Sequence, residues 1–175
     1  MLKLESVDVH CSELLASLST ETFMQAYEGV HNACSLEVYC RDNYSIDCIE
    51  LLLSQLNVEA VVAFKENKPT GFFVLKHHDC PIELVGECTE LKQIYVLSAY
   101  FGAGLGEHLF NDVIEKTLAN KSKWLWLCVS DINYRAQSFY NKLGFVKIGV
   151  GPNLKVGEDV LSSSILALDA ESKFA

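Results

Sequence analysis

The 175-residue sequence lacks the features of a membrane-spanning, exported or repetitive chain. No stretch approaches the roughly 18 uninterrupted apolar residues of a membrane helix, and the amino terminus lacks a basic start followed by an apolar core. The sequence also contains no internal repeat, linker-like run or low-complexity segment. We therefore expect one domain over residues 1–175, neither exported nor inserted in a membrane, with a cytoplasmic location.

The spacing of Cys and His residues that is typical of zinc sites is missing too, although the chain has seven cysteines. No C-x-x-C pair occurs, and neither Cys34 with Cys40 nor the run from His77 to Cys80 matches a familiar zinc site. We expect no metal site and no disulfide framework, and we interpret the cysteines as reduced thiols.

Positive charge is scarce in the first part of the chain. Residues 1–100 hold 15 Asp and Glu against 6 Lys and Arg, whereas residues 101–175 hold 8 of each, so the whole formal charge of −9 lies in the first 100 residues. Nucleic-acid binding is disfavoured, because it depends on clustered Lys and Arg. The acidic excess favours a cationic partner instead.

The remaining half-hydrophobic composition supports a packed core, and its periodicity predicts the elements in order. For the first half these are a strand over 2–9, a helix over 12–27, a helix starting after Ser45, a hairpin of strands 58–65 and 71–77, and a strand over 90–97. For the second half they are a helix over 104–120, a strand over 124–129, a helix over 133–143 closed by Gly144, and strands over 145–150 and 160–168. This order fits a mixed sheet with helices on both faces.

A glycine-rich segment from Tyr100 to Gly106 joins a predicted strand to a predicted helix. Such a turn presents unpaired backbone N–H groups at the positive end of the helix dipole, so Gly102 and Gly104 are suited to hold phosphates. Glu107 occupies the third glycine position of the dinucleotide-binding fingerprint, so this segment is not a dinucleotide-binding loop of that type. No Lys-Ser or Lys-Thr follows the loop, so a nucleoside triphosphate is disfavoured as well.

Two segments in sequence, 91–106 and 133–145, resemble the motifs of the GNAT N-acetyltransferases. The resemblance extends in outline over nearly the whole chain and is specific over 90–145. It implies an α+β fold with a mixed, largely antiparallel sheet of six to seven strands and helices on both faces. It also implies an N-acetyltransferase activity, with acetyl-CoA as the co-substrate.

The resemblance also assigns residues to the coenzyme. The amides of 102–106 would bind its pyrophosphate, the strand over 94–97 would pair with the pantetheine arm, and a main-chain N–H near Leu97 would stabilise the oxyanion. Asn133 would contact the arm, and Ala136 leaves room for it. The full set of predicted cofactor-binding residues is Ile94, Tyr95, Val96, Leu97, Gly102, Ala103, Gly104, Leu105, Gly106, Asn133 and Ala136.

Tyr140 is the candidate general acid, because the resemblance has it protonate the departing thiolate. Asn133 lies two helical turns before it, on the same face. Simpler readings stay open, with Asn133 a helix cap and Tyr140 a half-buried aromatic residue. Glu90 is the candidate base that removes the amine proton, or an exposed glutamate at a strand end. Cys128 is interpreted as a buried apolar residue and not as a nucleophile.

The loop departs from the family pattern where Phe101 and Ala103 replace the usual cations. Arg135, Lys142 or Lys121 are candidates to supply the charge from neighbouring elements. The departure also leaves open a non-catalytic acyl-CoA-binding module.

Three short segments, 21–23, 129–131 and 156–159, look like the branch of bacterial spermidine and spermine acetyltransferases. The acidic first half agrees with a cationic small-molecule amine, such as a polyamine, as the acceptor. A protein or peptide amine is the alternative acceptor, and a homodimer is left open by the sequence.

Overall fold

The computed structural model describes residues 1–81 and 84–173, in which seven strands form one sheet in the order β1-β2-β3-β4-β5-β9-β6 and two more form a separate hairpin. The strands are β1 (Leu2–Val7), β2 (Val58–Lys65), β3 (Lys68–His77), β4 (Cys88–Val96), β5 (Trp124–Ser130), β6 (Val146–Val150), β7 (Leu154–Val156), β8 (Asp159–Leu161) and β9 (Ser163–Asp169). β1 lies at one edge of the sheet.

Five α-helices occur in the described residues, together with short 3-10 helices. They are α1 (Ser12–Tyr27), α2 (Ala33–Tyr44), α3 (Ile46–Leu53), α4 (Leu105–Ala119) and α5 (Tyr134–Lys142). In this part of the chain, none is long and apolar enough to cross a membrane.

The sheet is mixed. β1 pairs with β2, and β9 with both β5 and β6, in antiparallel fashion, whereas β4 and β5 run parallel. This confirms the predicted α+β fold with a mixed, largely antiparallel sheet.

The chain divides into two compact units. The first consists of Met1–Leu75 and Gln93–Val113, and the second of Lys76–Lys92 and 114–175 as far as it is described. The single domain expected over 1–175 stays a prediction.

The core of the first unit lies where α1 and α3 cover β2 and β3. Leu15, Ile49 and Phe72 are almost completely inaccessible to solvent there, since each lies on the apolar face of its element. α3 starts after Ser45, as predicted, and the Ser45 hydroxyl caps it by accepting a hydrogen bond from the N–H of Cys48 at 3.4 Å.

The sequence prediction missed helix α2. Its buried residues are Leu36 and Cys40, a pair one helical turn apart, so the apolar signal is too narrow to be recognised. The helix begins at a side-chain cap, where Asn32 Oδ1 accepts from the N–H of Ser35 at 2.8 Å.

Two turns also differ from the prediction. Glu66 and Asn67 have φ values of 53° and 62°, as a two-residue hairpin turn requires, so β3 begins at Lys68 and not at residue 71. The strand predicted over 160–168 is divided between β8 and β9, and β8 forms a hairpin with β7 that the sequence prediction lacks.

A disulfide between Cys80 and Cys88, with their Cα atoms 5.2 Å apart, corrects the expectation that all cysteines are free thiols. The end of β3 and the start of β4 bring these two residues together, a proximity that spacing in sequence does not reveal. The same segment is held by two indole groups of β5. Trp126 Nε1 donates to the carbonyl of Asp79 at 2.6 Å, and Trp124 Nε1 donates to that of Val85 at 3.1 Å.

We predict that the native protein carries five free thiols, at Cys11, Cys34, Cys40, Cys48 and Cys128. Alkylation in denaturant without reductant should add five groups per chain by intact mass, and seven after reduction. Addition of seven groups without reductant would show that the pair is not linked. Cys80→Ser should show six groups by the first procedure, because it leaves Cys88 free.

Candidate functional site

The glycine loop follows β4 through a 3-10 helix, Ser98–Tyr100, and ends where α4 begins at Leu105. Gly102 and Gly104 have φ values of 77° and 75°, a left-handed backbone that other residues rarely adopt. A Cβ at either position would meet nothing within 4 Å, so the requirement for glycine is conformational and not one of space.

The first turn of α4 supplies hydrogen-bond donors. Its first intrahelical bond runs from the N–H of His108 to the carbonyl of Gly104 at 3.0 Å. The N–H groups of Leu105, Gly106 and Glu107 precede that bond and have no acceptor within the helix. Together with the helix dipole they form a site suited to an anion such as a phosphate.

A lysine at the end of β2 contacts the residue that precedes this loop. Residues 101–106 contain no Lys or Arg, but Lys65 Nζ, at the end of β2, lies 5.9 Å from the centroid of the Tyr100 ring. Tyr100 is the residue before Phe101, so this contact joins the end of β2 to the residue that precedes the loop. Sequence reasoning missed Lys65, because nothing in the spacing of residues 65 and 100 indicates that they meet.

The residues predicted to hold the pantetheine arm, Ile94–Leu97, are all partly exposed although they belong to an interior strand and its end. Tyr95 stacks on Phe72 with ring centroids 5.9 Å apart. Residues Cys88–Glu90 of β4 pair with residues Trp124–Trp126 of β5. Beyond this pairing, β4 continues as far as Val96.

The main-chain donors around Leu97 are partly occupied. The N–H of Leu97 donates to the Thr70 carbonyl at 2.9 Å, and the N–H of Ser98 donates to Gln25 Oε1 at 2.8 Å. Neither is free to bind an oxyanion. Because successive N–H groups of a strand point to opposite sides, the N–H of Val96 points away from β3 and is the better candidate.

Glu90 lies in the second unit, opposite Trp126 in the parallel ladder. Its side chain is 17% exposed, and its carboxylate is 3.5 Å from Lys92 Nζ. Burial raises the pKa of Glu90, Lys92 lowers it, and the charge of Asp79 raises it again. A carboxylate with a raised pKa is a stronger base, as proton removal from an amine requires.

Asn133 and Tyr140 are at the two ends of α5. Asn133 Oδ1 caps the helix by accepting a hydrogen bond from the N–H of Ala136 at 3.1 Å, so the interpretation of Asn133 as a helix cap is correct. The side-chain nitrogen of Asn133 takes no part in this cap. Tyr140 is 9% exposed, and its ring makes edge contacts with Phe139 and Phe145 at centroid distances of 5.6 and 5.5 Å. Tyr140 is therefore held in a fixed orientation.

Cys128 corrects one expectation, because it is exposed and not buried. On β5 the alternate residues Leu125 and Leu127 are buried, whereas Cys128 is on the opposite, less covered face. Partial burial raises the pKa of Cys128, and the negative charge of Glu90 raises it further. The thiol is thus protonated at neutral pH, and that Cys128 is no nucleophile stays a prediction.

The predicted site residues are divided between the two units. The first contains Ile94–Leu97 and the loop 102–106, and the second contains Glu90, Asn133, Ala136 and Tyr140. Within residues 1–81 and 84–173, no group of three or more His, Cys, Asp and Glu side chains could hold a metal ion.

Comparison with known proteins gives a consistent result. Residues 20–145 match the model of the Acetyltransferase (GNAT) family. An uncharacterized N-acetyltransferase of Mycobacterium tuberculosis is 40% identical over 60 residues, which cover 32% of this chain and 36% of that protein. The chain thus matches about a third of the length of that curated relative.

Solved structures share the fold at low sequence identity. The PaiA N-acetyltransferase of Thermoplasma acidophilum, in complex with coenzyme A, has a TM-score of 0.77 at 20% identity, and the match covers 97% of this chain and 99% of that one. A GCN5-related N-acetyltransferase of Rhodopseudomonas palustris has a TM-score of 0.75 at 17% identity, with 95% and 94% covered. The ribosomal-protein-S18-alanine N-acetyltransferase of Escherichia coli has a TM-score of 0.64 at 18% identity, with 96% and 93% covered.

Proposed function

Because the chain belongs to the GNAT family of acetyltransferases, we propose that it transfers the acetyl group of acetyl-CoA to a primary amine by direct attack. One observation carries the proposal: within the matched residues, a left-handed glycine loop joins β4 to the N-terminus of α4. This geometry suits the phosphates of a coenzyme.

In this proposal the amides of residues 102–106 bind the pyrophosphate of acetyl-CoA, and Lys65 adds positive charge beside them. The backbone of Ile94–Leu97 pairs with the pantetheine arm. The N–H of Val96 donates to the thioester oxygen as negative charge develops on it. Asn133 and Ala136 contact the arm from α5.

The chemistry requires three proton transfers. Glu90 accepts a proton from the ammonium form of the substrate, either directly or through water, because only the free amine is nucleophilic. The amine nitrogen then bonds to the carbonyl carbon, and the carbon–sulfur bond breaks when the tetrahedral intermediate collapses. Tyr140 gives its proton to the departing thiolate, and the nitrogen of the new amide bond returns a proton to the Tyr140 oxygen, either directly or through water. The products are therefore the acetylated amine and coenzyme A.

A cationic small-molecule amine such as a polyamine is the proposed acceptor. The concentration of the formal charge of −9 in residues 1–100 supports this choice, since it attracts cations. A peptide or protein amine is the competing acceptor, and acetylation of peptides with inert polyamines would select it. A cytoplasmic location and a homodimer stay predictions.

Tyr140→Phe should lower kcat with spermidine and acetyl-CoA by about 100-fold, because general acid catalysis contributes that much or more. Thiol release measures the rate, and calorimetry should show that acetyl-CoA still binds. Tyr134→Phe is the matched control, since Tyr134 lies on the same helix and is 72% exposed. Tight acetyl-CoA binding by the wild-type protein without turnover on any amine would instead identify a non-catalytic module.

The rate should depend on the charge of Glu90. We expect kcat/KM for the amine to fall on the acid side at a pH above the ordinary glutamate pKa of about 4.3, because burial raises the pKa of Glu90. Lys92→Met should move this limb to higher pH, since the ammonium of Lys92 lowers that pKa. Glu90→Gln should remove the limb, and its persistence in that variant would exclude Glu90 as the base.

Lys65→Met should weaken acetyl-CoA binding by about five- to tenfold, which corresponds to about 1–1.4 kcal/mol. The difference from wild type should shrink as salt is added, because salt screens exposed charges. Lys68→Met, an exposed change on the same hairpin, should leave the Kd unchanged. Equal changes of the Kd in the two variants would show that acetyl-CoA binding depends on the net charge of the protein and not on the position of Lys65.

A further inference from the structure

A buried carbonyl oxygen of the first unit has no hydrogen-bond partner in the part of the chain that the structure describes. It is Oε1 of Gln93, on β4. A buried polar atom without a partner destabilises the fold, so such an atom needs an explanation. Ser19 on α1 also has a hydroxyl of this kind and offers an internal comparison.

The orientation of Gln93 is fixed by a chain of hydrogen bonds. Its side-chain amide donates to the hydroxyl of Tyr44, and Tyr44 in turn bonds to the hydroxyl of Tyr39. The rings of Tyr39 and Tyr44 meet edge to face at 5.8 Å, and Phe23 stacks on Tyr39 at 4.5 Å. With its nitrogen engaged by Tyr44, Gln93 presents its oxygen as an acceptor.

Within the described residues, no carboxylate acts on the two tyrosines beside this acceptor. The ionisable groups that act on Tyr39 and Tyr44 are each other, Tyr27 and Cys40. A second carboxylate, in addition to the base, would stabilise the ammonium form of the substrate and raise its pKa, which opposes deprotonation. An uncharged carbonyl oxygen among aromatic rings binds an amine N–H without that penalty.

Gln93 also has a suitable place along the chain. It directly precedes Ile94–Leu97, the residues proposed to hold the pantetheine arm. Gln25 of α1 accepts from the N–H of Ser98 at 2.8 Å and so ties α1 to the end of this segment.

We infer that Gln93 Oε1 accepts a hydrogen bond from the nitrogen of the acceptor substrate, with Tyr44 holding the amide in place. The substrate class is a primary amine on an apolar carbon chain, recognised at its reacting nitrogen by an uncharged group. This inference rests on the proposed acetyltransferase function and adds a specificity-determining residue to it.

The test replaces Gln93 by Met, which has a similar length and no carbonyl group. In Gln93→Met the KM for spermidine and for n-butylamine should rise by about tenfold and by the same factor, because the lost bond is at the nitrogen that both share. The Kd for acetyl-CoA should change less than about twofold. Ser19→Ala, which removes the other unpartnered group, should leave the kinetics unchanged.

Two further variants separate binding from structural support. Gln93→Glu should lower both KM and kcat, because a carboxylate binds the ammonium more tightly and resists its deprotonation. Tyr44→Phe should raise KM less than Gln93→Met does, since the acceptor remains but is less firmly held.

An unchanged KM in Gln93→Met, or a Kd for acetyl-CoA that rises by the same factor as KM, would overturn the inference. A rise of KM for spermidine alone would overturn it too, because the contact would then be to a distant amine. These outcomes presuppose turnover by the wild-type protein. Absence of amine-dependent thiol release in the wild type is a failure of the proposed function itself and is seen before any variant is made.

Discussion

The close approach of β3 and β4 at Gly71 is the constraint on which the first unit depends. A Cβ at this position would lie 2.6 Å from the carbonyl oxygen of Tyr95, a distance that real side chains do not tolerate. The absence of a side chain lets the backbone of β4 lie against β3, with the N–H of Leu97 bonded to the Thr70 carbonyl. The position of β4 then fixes the start of the glycine loop, and the loop fixes the N-terminus of α4.

Sequence periodicity was a good guide wherever an element has a broad apolar face. α1 has the bounds that the pattern indicates, and α4 differs by a residue at each end, because the buried residues of both recur over several turns. α5 also differs by a residue at each end, although Tyr140 is its one buried residue, because the cap at Asn133 and the glycine at 144 mark its limits. α2 shows the limit of the method, since a helix with a narrow apolar stripe resembles a polar loop. The hairpin turn shows another limit, because Glu66 is an unusual residue for a left-handed backbone.

The candidate site was predictable where its residues are consecutive and less so where they meet through tertiary structure. The loop glycines and the cap at Asn133 follow from local pattern, and both have the local conformation expected of them. Lys65 contacts Tyr100 although the two residues are far apart in sequence. The disulfide joins two residues on either side of a turn. Spacing in the sequence alone could not indicate either contact. The exposure of Cys128 depends on which sheet face is covered, and that also is a tertiary property.

The two indole groups of β5 have a consequence for spectroscopy. Trp124 and Trp126 are the two tryptophans of the chain, and both donate to carbonyls of the segment that leads into Glu90. Lys123 Nζ also lies 5.2 Å from the ring centroid of Trp124. Tryptophan emission from this protein is therefore a local signal, which reports on the hydration of one segment of the second unit rather than on the fold as a whole.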